Sequence, residues 1–107
     1  MFQEDRSIGA AQKPKEPPEP WMLALLMAAA LLRRRGWCQN AYMDNGGRYC
    51  VAGAIGNVTQ GNNALWGETM KKLTQFLSVI NAPVWNDRPG RTADEVITAL
   101  EDCAKQP

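Results

Sequence analysis

The chain has 107 residues, a formal net charge of +1, an apolar fraction of 45% and no histidine. This length and composition suit one globular domain, and a nearly neutral chain has no general attraction for nucleic acids or anionic membranes. Without imidazole, Cys-His and Ser-His-Asp catalysis cannot be assembled from this chain alone, and we expect neither a metal nor a cofactor.

Residues 1–20 are predicted to be a disordered, Pro-rich tail, and residues 21–107 a single helical domain. The tail has four prolines and only Phe2 and Ile8 as bulky apolar side chains, too few to offset the entropy lost on ordering. Its P-P-E-P segment favours an extended conformation that suits either a plain spacer or a docking peptide.

The run from Trp21 to Leu32 is apolar on every face. As a helix it covers about 18 Å, well short of the ~30 Å hydrocarbon layer of a membrane. Acidic residues precede it, which argues against a secretory signal. We predict a buried helix that begins at Pro20, ends before Gly36, and is covered either within the monomer or by a second copy in a homodimer.

Three arginines, Arg33, Arg34 and Arg35, end this helix. Cations there stabilise the C-terminal end of the helix dipole. The alternative is a basic patch for a phosphate or an acidic partner.

The segment from Trp37 to Tyr49 is polar, with a turn predicted at Asp44–Gly47. The next stretch, Y-C-V-A-G-A-I-G (Tyr49–Gly56), predicts a short helix that packs closely against a neighbour, with a strand as the alternative. It resembles a phosphate-binding loop only weakly, because the Gly-Lys-Ser/Thr ending is missing.

Two amphipathic helices are predicted in the rest of the chain. Asn62 or Asn63 caps the first, and Thr92 with Glu95 has the spacing of a capping box that begins the last. A connection, Asn81–Arg91, joins them. The predicted buried faces are Leu65, Trp66, Met70, Leu73, Phe76, Leu77 and Ile80, then Val96, Ile97, Leu100 and Cys103.

The connection contains the motif V-W-N-D-R-P-G-R. The structural interpretation is that Trp85 anchors the loop to the core while Asn86 and Asp87 bond turn amides. The alternative is a surface on which a ligand or partner is met by Asp87, Arg88 and Arg91, near Trp37 and Arg48.

The three cysteines, Cys38, Cys50 and Cys103, lack the C-x-x-C spacing of zinc and redox sites. We interpret them as buried, reduced side chains of a cytoplasmic protein. A Cys38–Cys50 disulfide is the alternative for a secreted protein.

Three segments, R-R-R-G-W-C-Q-N-A-Y, G-R-Y-C-V-A-G-A-I and V-W-N-D-R-P-G-R-T-A-D-E-V-I, together resemble a domain-of-unknown-function family, DUF6197, of small bacterial and phage proteins. The likeness covers Leu25 to Ala104. It implies a mostly helical cytoplasmic protein, often encoded by phage or mobile elements, and no activity. The matching residues are Gly36, Trp37, Cys50, Gly53, Ala54, Trp85, Asn86 and Asp87.

The sequence predicts an all-α bundle of about four helices and favours a non-enzymatic protein that binds a partner protein. Trp and Arg, the residues most enriched at binding hot spots, supply the candidate surface. The first alternative is a nucleic-acid-binding protein that uses Arg33, Arg34, Arg35, Arg48, Arg88 and Arg91. The second is an enzyme built on Cys50 with Asp87 or Asn86, whose thiolate would need a helix N-terminus or an arginine to lower its pKa.

Overall fold

The computed structural model describes residues 17–107, which form five α-helices. These are α1 (Pro20–Arg35), α2 (Val51–Val58), α3 (Asn63–Leu77), α4 (Ala82–Asn86) and α5 (Ala93–Ala104). Over these residues the only β-pairing is two isolated bridges, from Trp37 and from Met43 to Tyr49. The all-α prediction is confirmed, and the additional helix is α4, which lies in the segment predicted as an irregular connection.

The predicted Pro-rich tail lies largely outside the described residues. Of its twenty positions, residues 1–16 are not described, residues 17–19 are exposed and non-helical, and Pro20 is already the first residue of α1.

Helix α1 is the central element of the fold and packs against α5, α2 and α3. Its buried face consists of Trp21, Ala24, Leu25, Ala28, Ala29, Leu31 and Leu32. Alanines on this face allow close approach of neighbouring helices, and α2 contributes Val51 and Ile55 to the same core. Within residues 17–107, no helix is both long and apolar enough to cross a membrane.

Within the monomer, α1 is buried on one side only. Leu23, Leu26 and Met27 are exposed, because the surrounding helices cover only one side of α1. An all-apolar helix carries no periodicity that distinguishes its covered side from its open side.

The predicted buried face of α3 is also partly wrong. Leu73 is fully buried, but Trp66 and Phe76 are exposed. Ile80 lies beyond the helix, which ends at Leu77 with Ser78 in the left-handed conformation.

The ends of the helices follow the predicted signals. Gly36 follows α1 with a positive φ of 95°, and its amide donates to the carbonyl of Leu32 at 2.8 Å. The Asn62 side chain accepts from the amide of Leu65 and caps α3. These contacts satisfy backbone groups that the helix itself leaves unpaired.

Thr92 and Glu95 form the predicted capping box at the start of α5. The Thr92 hydroxyl accepts from the Glu95 amide at 3.2 Å, and the Glu95 carboxylate accepts from the Thr92 amide at 3.0 Å. Replacing Thr92 by alanine is therefore expected to lower the free energy of unfolding by about 1 kcal/mol. Urea denaturation followed by circular dichroism measures this loss, and an unchanged midpoint would show that the cap contributes nothing.

Candidate functional site

Asn86 lies at the end of α4 with its side chain fully buried. Its Oδ1 accepts from the indole Nε1 of Trp37 at 2.7 Å and from the backbone amide of Val51 at 3.0 Å. Its Nδ2 donates to the carbonyl of Cys38 at 3.2 Å and to Oδ1 of Asp87 at 2.9 Å. Both donors and both acceptor positions of the amide are therefore used inside the protein.

The contacts of Asn86 join three separate parts of the chain. Val51 is the first residue of α2, so its amide has no partner within that helix. Asn86 supplies the partner, and it also holds the segment that follows α1 through Trp37 and Cys38. We call this set of contacts the Asn86 network.

Two further contacts extend the network to neighbouring residues. Gln39 Nε2 donates to the carbonyls of Asn86 and Arg88, at 3.0 and 2.9 Å, and the amide of Asn40 donates to Oδ1 of Asp87 at 2.9 Å. The structural interpretation has Asn86 and Asp87 bonding turn amides, and the two side chains do accept from the backbone amides of Val51 and Asn40. The contacts of the W-N-D motif reach mainly to residues 37–51, so the motif holds one loop against another.

Cys50 is the N-cap residue of α2, and its Sγ accepts from the amide of Gly53 at 3.3 Å. Burial raises the pKa of the Cys50 thiol above its usual value; the amides of Gly53 and Ala52 act in the opposite direction, and the carboxylate of Asp87 raises it further. Cys50 and Asp87 do line one open depression of about 330 Å³. At neutral pH this depression offers a protonated thiol beside a carboxylate.

The other two cysteines are also buried free thiols. The Cys38 Sγ lies within hydrogen-bond distance of two carbonyl oxygens, those of Ala41 and Arg48, and its single S–H can donate to either. Burial is the main cause that raises the pKa of this thiol. Burial raises the pKa of Cys103 to about 11. The structure thus has no Cys38–Cys50 disulfide, the alternative considered for a secreted protein.

All three thiols are expected to react more slowly with iodoacetamide at pH 7.5 than the thiol of an unstructured peptide, because burial disfavours the reactive thiolate. Mass spectrometry of timed samples measures this, with the urea-unfolded chain as the control in which all three react rapidly. Alkylation of Cys50 faster than the peptide would revive the hypothesis of a catalytic cysteine.

The arginines at the end of α1 are largely engaged within the chain. Arg33 pairs with Glu101 at 3.1 Å, and the Arg35 guanidinium lies 6.0 Å from the centre of the Tyr49 ring. Arg34 is exposed and makes no ion pair with another residue of the described chain.

Arg48 is held by Asp44, which accepts from its Nε at 2.7 Å. The pKa of the Asp44 carboxyl lies below its usual value. The largest cause is the hydrogen bond from the backbone amide of Arg48, and the hydrogen bond from the Arg48 side chain lowers the pKa further. Asp44 also accepts from the amide of Gly46. Arg48 is therefore part of the predicted turn at Asp44–Gly47.

Arg91 and Trp85 form one stacked unit between α4 and α5. The guanidinium carbon of Arg91 lies 4.2 Å from the centre of the Trp85 ring, and its Nε donates to the Trp85 carbonyl at 3.0 Å. Glu95 lies 3.6 Å from the same guanidinium. Trp85 also packs against the core, as predicted for an anchor.

A groove of about 450 Å³ runs beside this stacked unit. We call it the α3–α4 groove; it is lined by Leu77, Val79, Ile80, Asn81, Val84, Trp85, Arg88 and Arg91. The side chain of Ile80 is 95% exposed and that of Val84 is 67% exposed. The groove is therefore largely apolar, and two arginines, Arg88 and Arg91, contribute to its lining.

The sequence pattern does not indicate that Ile80 and Val84 lie on the surface. The periodicity predicts that Ile80 belongs to the buried face of α3, and Val84 falls in the predicted connection Asn81–Arg91. A signal was present, however, because Asn81 followed by Ala82 and Pro83 is typical of a helix start. Asn81 does cap α4, accepting from the amide of Val84 at 2.7 Å.

Residues 17–107 contain no group of three or more Cys, Asp or Glu side chains that could hold a metal ion. Residues 17–106 match a protein family described as "Family of unknown function (DUF6197)". No curated protein and no solved structure matches the chain. The family match spans all five helices, the Asn86 network and the α3–α4 groove.

Proposed function

The chain belongs to DUF6197, a family of unknown function, and from its geometry we propose that it is a small, non-enzymatic protein that binds a segment of a partner protein in the α3–α4 groove. The observation that carries this proposal is the exposure of Ile80 and Val84 beside the arginines of the groove. Exposed apolar side chains clustered in a concave surface are typical of binding sites.

The chemistry of the groove supports one kind of partner segment. An apolar side chain would cover Ile80 and Val84, and a carboxylate would pair with Arg88, which is exposed and makes no ion pair with any residue from 17 to 107. We therefore propose a segment that carries an acidic residue beside a bulky apolar one.

The stacked Trp85 and Arg91 suit the wall of such a site. Their side chains are already held by the core, the Trp85 carbonyl and Glu95, so little side-chain entropy is lost when a partner binds. Trp and Arg are also the residues that most often dominate binding energy.

We propose further that the protein is cytoplasmic, and the thiols support both this location and the absence of catalysis. A raised pKa leaves Cys50 protonated at neutral pH, and three free cysteines suit a reducing compartment. Origin from a phage or mobile element stays a prediction from the resemblance.

Nucleic-acid binding stays an alternative prediction. Three of its six arginines are paired with carboxylates of this chain, namely Arg33, Arg48 and Arg91, which leaves less positive charge for phosphates. Binding through the arginines would weaken steeply as salt concentration rises. Affinity that stays constant between low and moderate salt would contradict this alternative.

The proposed function is tested by selecting binders from a random peptide library displayed on phage, with the full chain as bait. Peptides that pair Asp or Glu with Leu, Ile or Phe are expected to be enriched. Their affinity is expected to fall at least about tenfold for the Val84→Glu and Arg88→Glu variants, because each adds a charge that repels the peptide.

Lys71→Glu is the matched control for Arg88→Glu. It makes the same charge change, from a cation to a carboxylate, at an exposed position of α3 outside the groove. It is expected to retain wild-type affinity. Enrichment of peptides without acidic residues, or equal loss of affinity in Lys71→Glu and Arg88→Glu, would contradict binding in the groove.

A further inference from the structure

Helix α1 carries an apolar stripe on the side that faces away from the core. Leu23, Leu26 and Met27 are 46%, 44% and 53% exposed, and Ala30 is exposed beside them. Their spacing of three and four residues places them on one face of the helix. No other described element covers this stripe, which lies opposite the buried face of α1.

The two ends of the stripe carry opposite charges. Glu19 is exposed at the N-cap of α1, and its side chain does not cap the helix. Arg34 is exposed in the last turn. At 100° and about 1.5 Å per residue, Arg34 lies on the same face as Glu19 and about 22 Å further along the helix axis.

We propose that a second copy of this chain covers the stripe, with the two α1 helices packed antiparallel about a twofold axis between Leu26 and Met27. In this register Glu19 of each subunit faces Arg34 of the partner subunit, and Leu23 faces the partner's Ala30. The small alanine leaves room for the leucine. A twofold interface is self-complementary, so both ion pairs form at once.

The charges at the two ends of the stripe favour antiparallel over parallel packing of the two α1 helices. A parallel pair would place Glu19 against the partner's Glu19 and Arg34 against the partner's Arg34, and both contacts would be repulsive. The antiparallel pair turns both contacts into attractions, and it also sets each Leu23 against the partner's small Ala30 instead of against a second leucine.

The size of the stripe decides the strength of the dimer. One face of a four-turn helix buries less than the ~800 Å² per partner that stable complexes bury. The association is therefore expected to be weak and to depend on protein concentration.

Sedimentation equilibrium of the full chain over roughly 10 to 500 μM tests the proposal, a range that brackets weak association. The mean mass is expected to rise from the 11.8 kDa of the monomer towards twice that value. Met27→Glu is expected to remain monomeric throughout. Met43→Glu is the matched control, because Met43 is 54% exposed but lies outside α1, and it should associate as the wild type does.

Charge reversal tests the register. Glu19→Arg and Arg34→Glu are each expected to weaken association about tenfold, through two repulsive contacts per dimer. The double variant Glu19→Arg/Arg34→Glu is expected to recover most of the wild-type association. All these positions are exposed, so the variants should fold, and circular dichroism verifies this.

Three results would overturn the proposal. The full chain would stay monomeric at all concentrations if another segment or an unrelated protein covered the stripe. Met27→Glu would associate as the wild type does if the copies met elsewhere. The single charge reversals would leave association unchanged if the helices were parallel, because like charges would face each other both before and after each substitution.

Discussion

Replacing Asn86 by leucine is expected to lower the free energy of unfolding by about 4 kcal/mol, because each unpaired buried polar group costs roughly 1–3 kcal/mol. Leucine is similar in size to asparagine but has no polar atoms. It would leave the Trp37 indole N–H, the Val51 amide and the Cys38 carbonyl without the partner that Asn86 provides. Such a loss is a large part of the total stability of a small domain.

Urea denaturation followed by circular dichroism measures the effect, and Asn81→Ala is the matched control. Asn81 also belongs to the α4 segment and also accepts from a backbone amide, but it is exposed. Its loss should cost about 1 kcal/mol, the ordinary value of an N-cap. If Asn86→Leu cost no more than this control, the Asn86 network would not be what holds the loops together.

The ends of the helices were predictable because their signals are local. Pro20 and Gly36 delimit α1, and Thr92 with Glu95 begins α5. In each case the chemistry that ends or begins a helix involves residues within one turn of each other. These helix-end signals can therefore be recognised in the sequence without knowing how the helices pack.

The exposed surfaces were not predictable in the same way. Ile80 continues the periodicity of α3, and only the left-handed Ser78 shows that the helix has already ended. The apolar stripe on α1 was hidden because that helix is apolar on every side. Which side stays open depends on where α5, α2 and α3 pack, and this is a property of the whole fold.

The Asn86 network could not be predicted from the sequence for a third reason. The sequence identified Trp37, Asn86 and Asp87 as unusual residues, partly through resemblance to a family. It could not show that one amide joins residues 35 to 49 positions away. A motif of this kind indicates a constrained position, but the constraint can come from structure as easily as from function.

Replacing Gly53 by alanine is expected to lower the free energy of unfolding by about 3 kcal/mol, at the upper end of the cost of overpacking. Gly53 lies in α2 against the backbone of Tyr42. A Cβ atom there would overlap the Tyr42 carbonyl oxygen and lie 2.8 Å from its carbonyl carbon. That carbonyl cannot simply move aside, because it accepts a hydrogen bond from the amide of Cys50 at 3.1 Å.

Gly56→Ala is the matched control for this prediction, since Gly56 lies one turn further along the same helix. A Cβ atom at Gly56 would meet the Trp66 ring at 3.6 Å, an ordinary contact. Alanine is the better helix former, so this variant is expected to gain roughly 0.5–1 kcal/mol. Opposite signs for the two substitutions in thermal or urea unfolding would confirm that close backbone approach requires Gly53. A similar small gain for both would show that the loop at Tyr42 yields readily, and that the contact between this loop and α2 contributes little to stability.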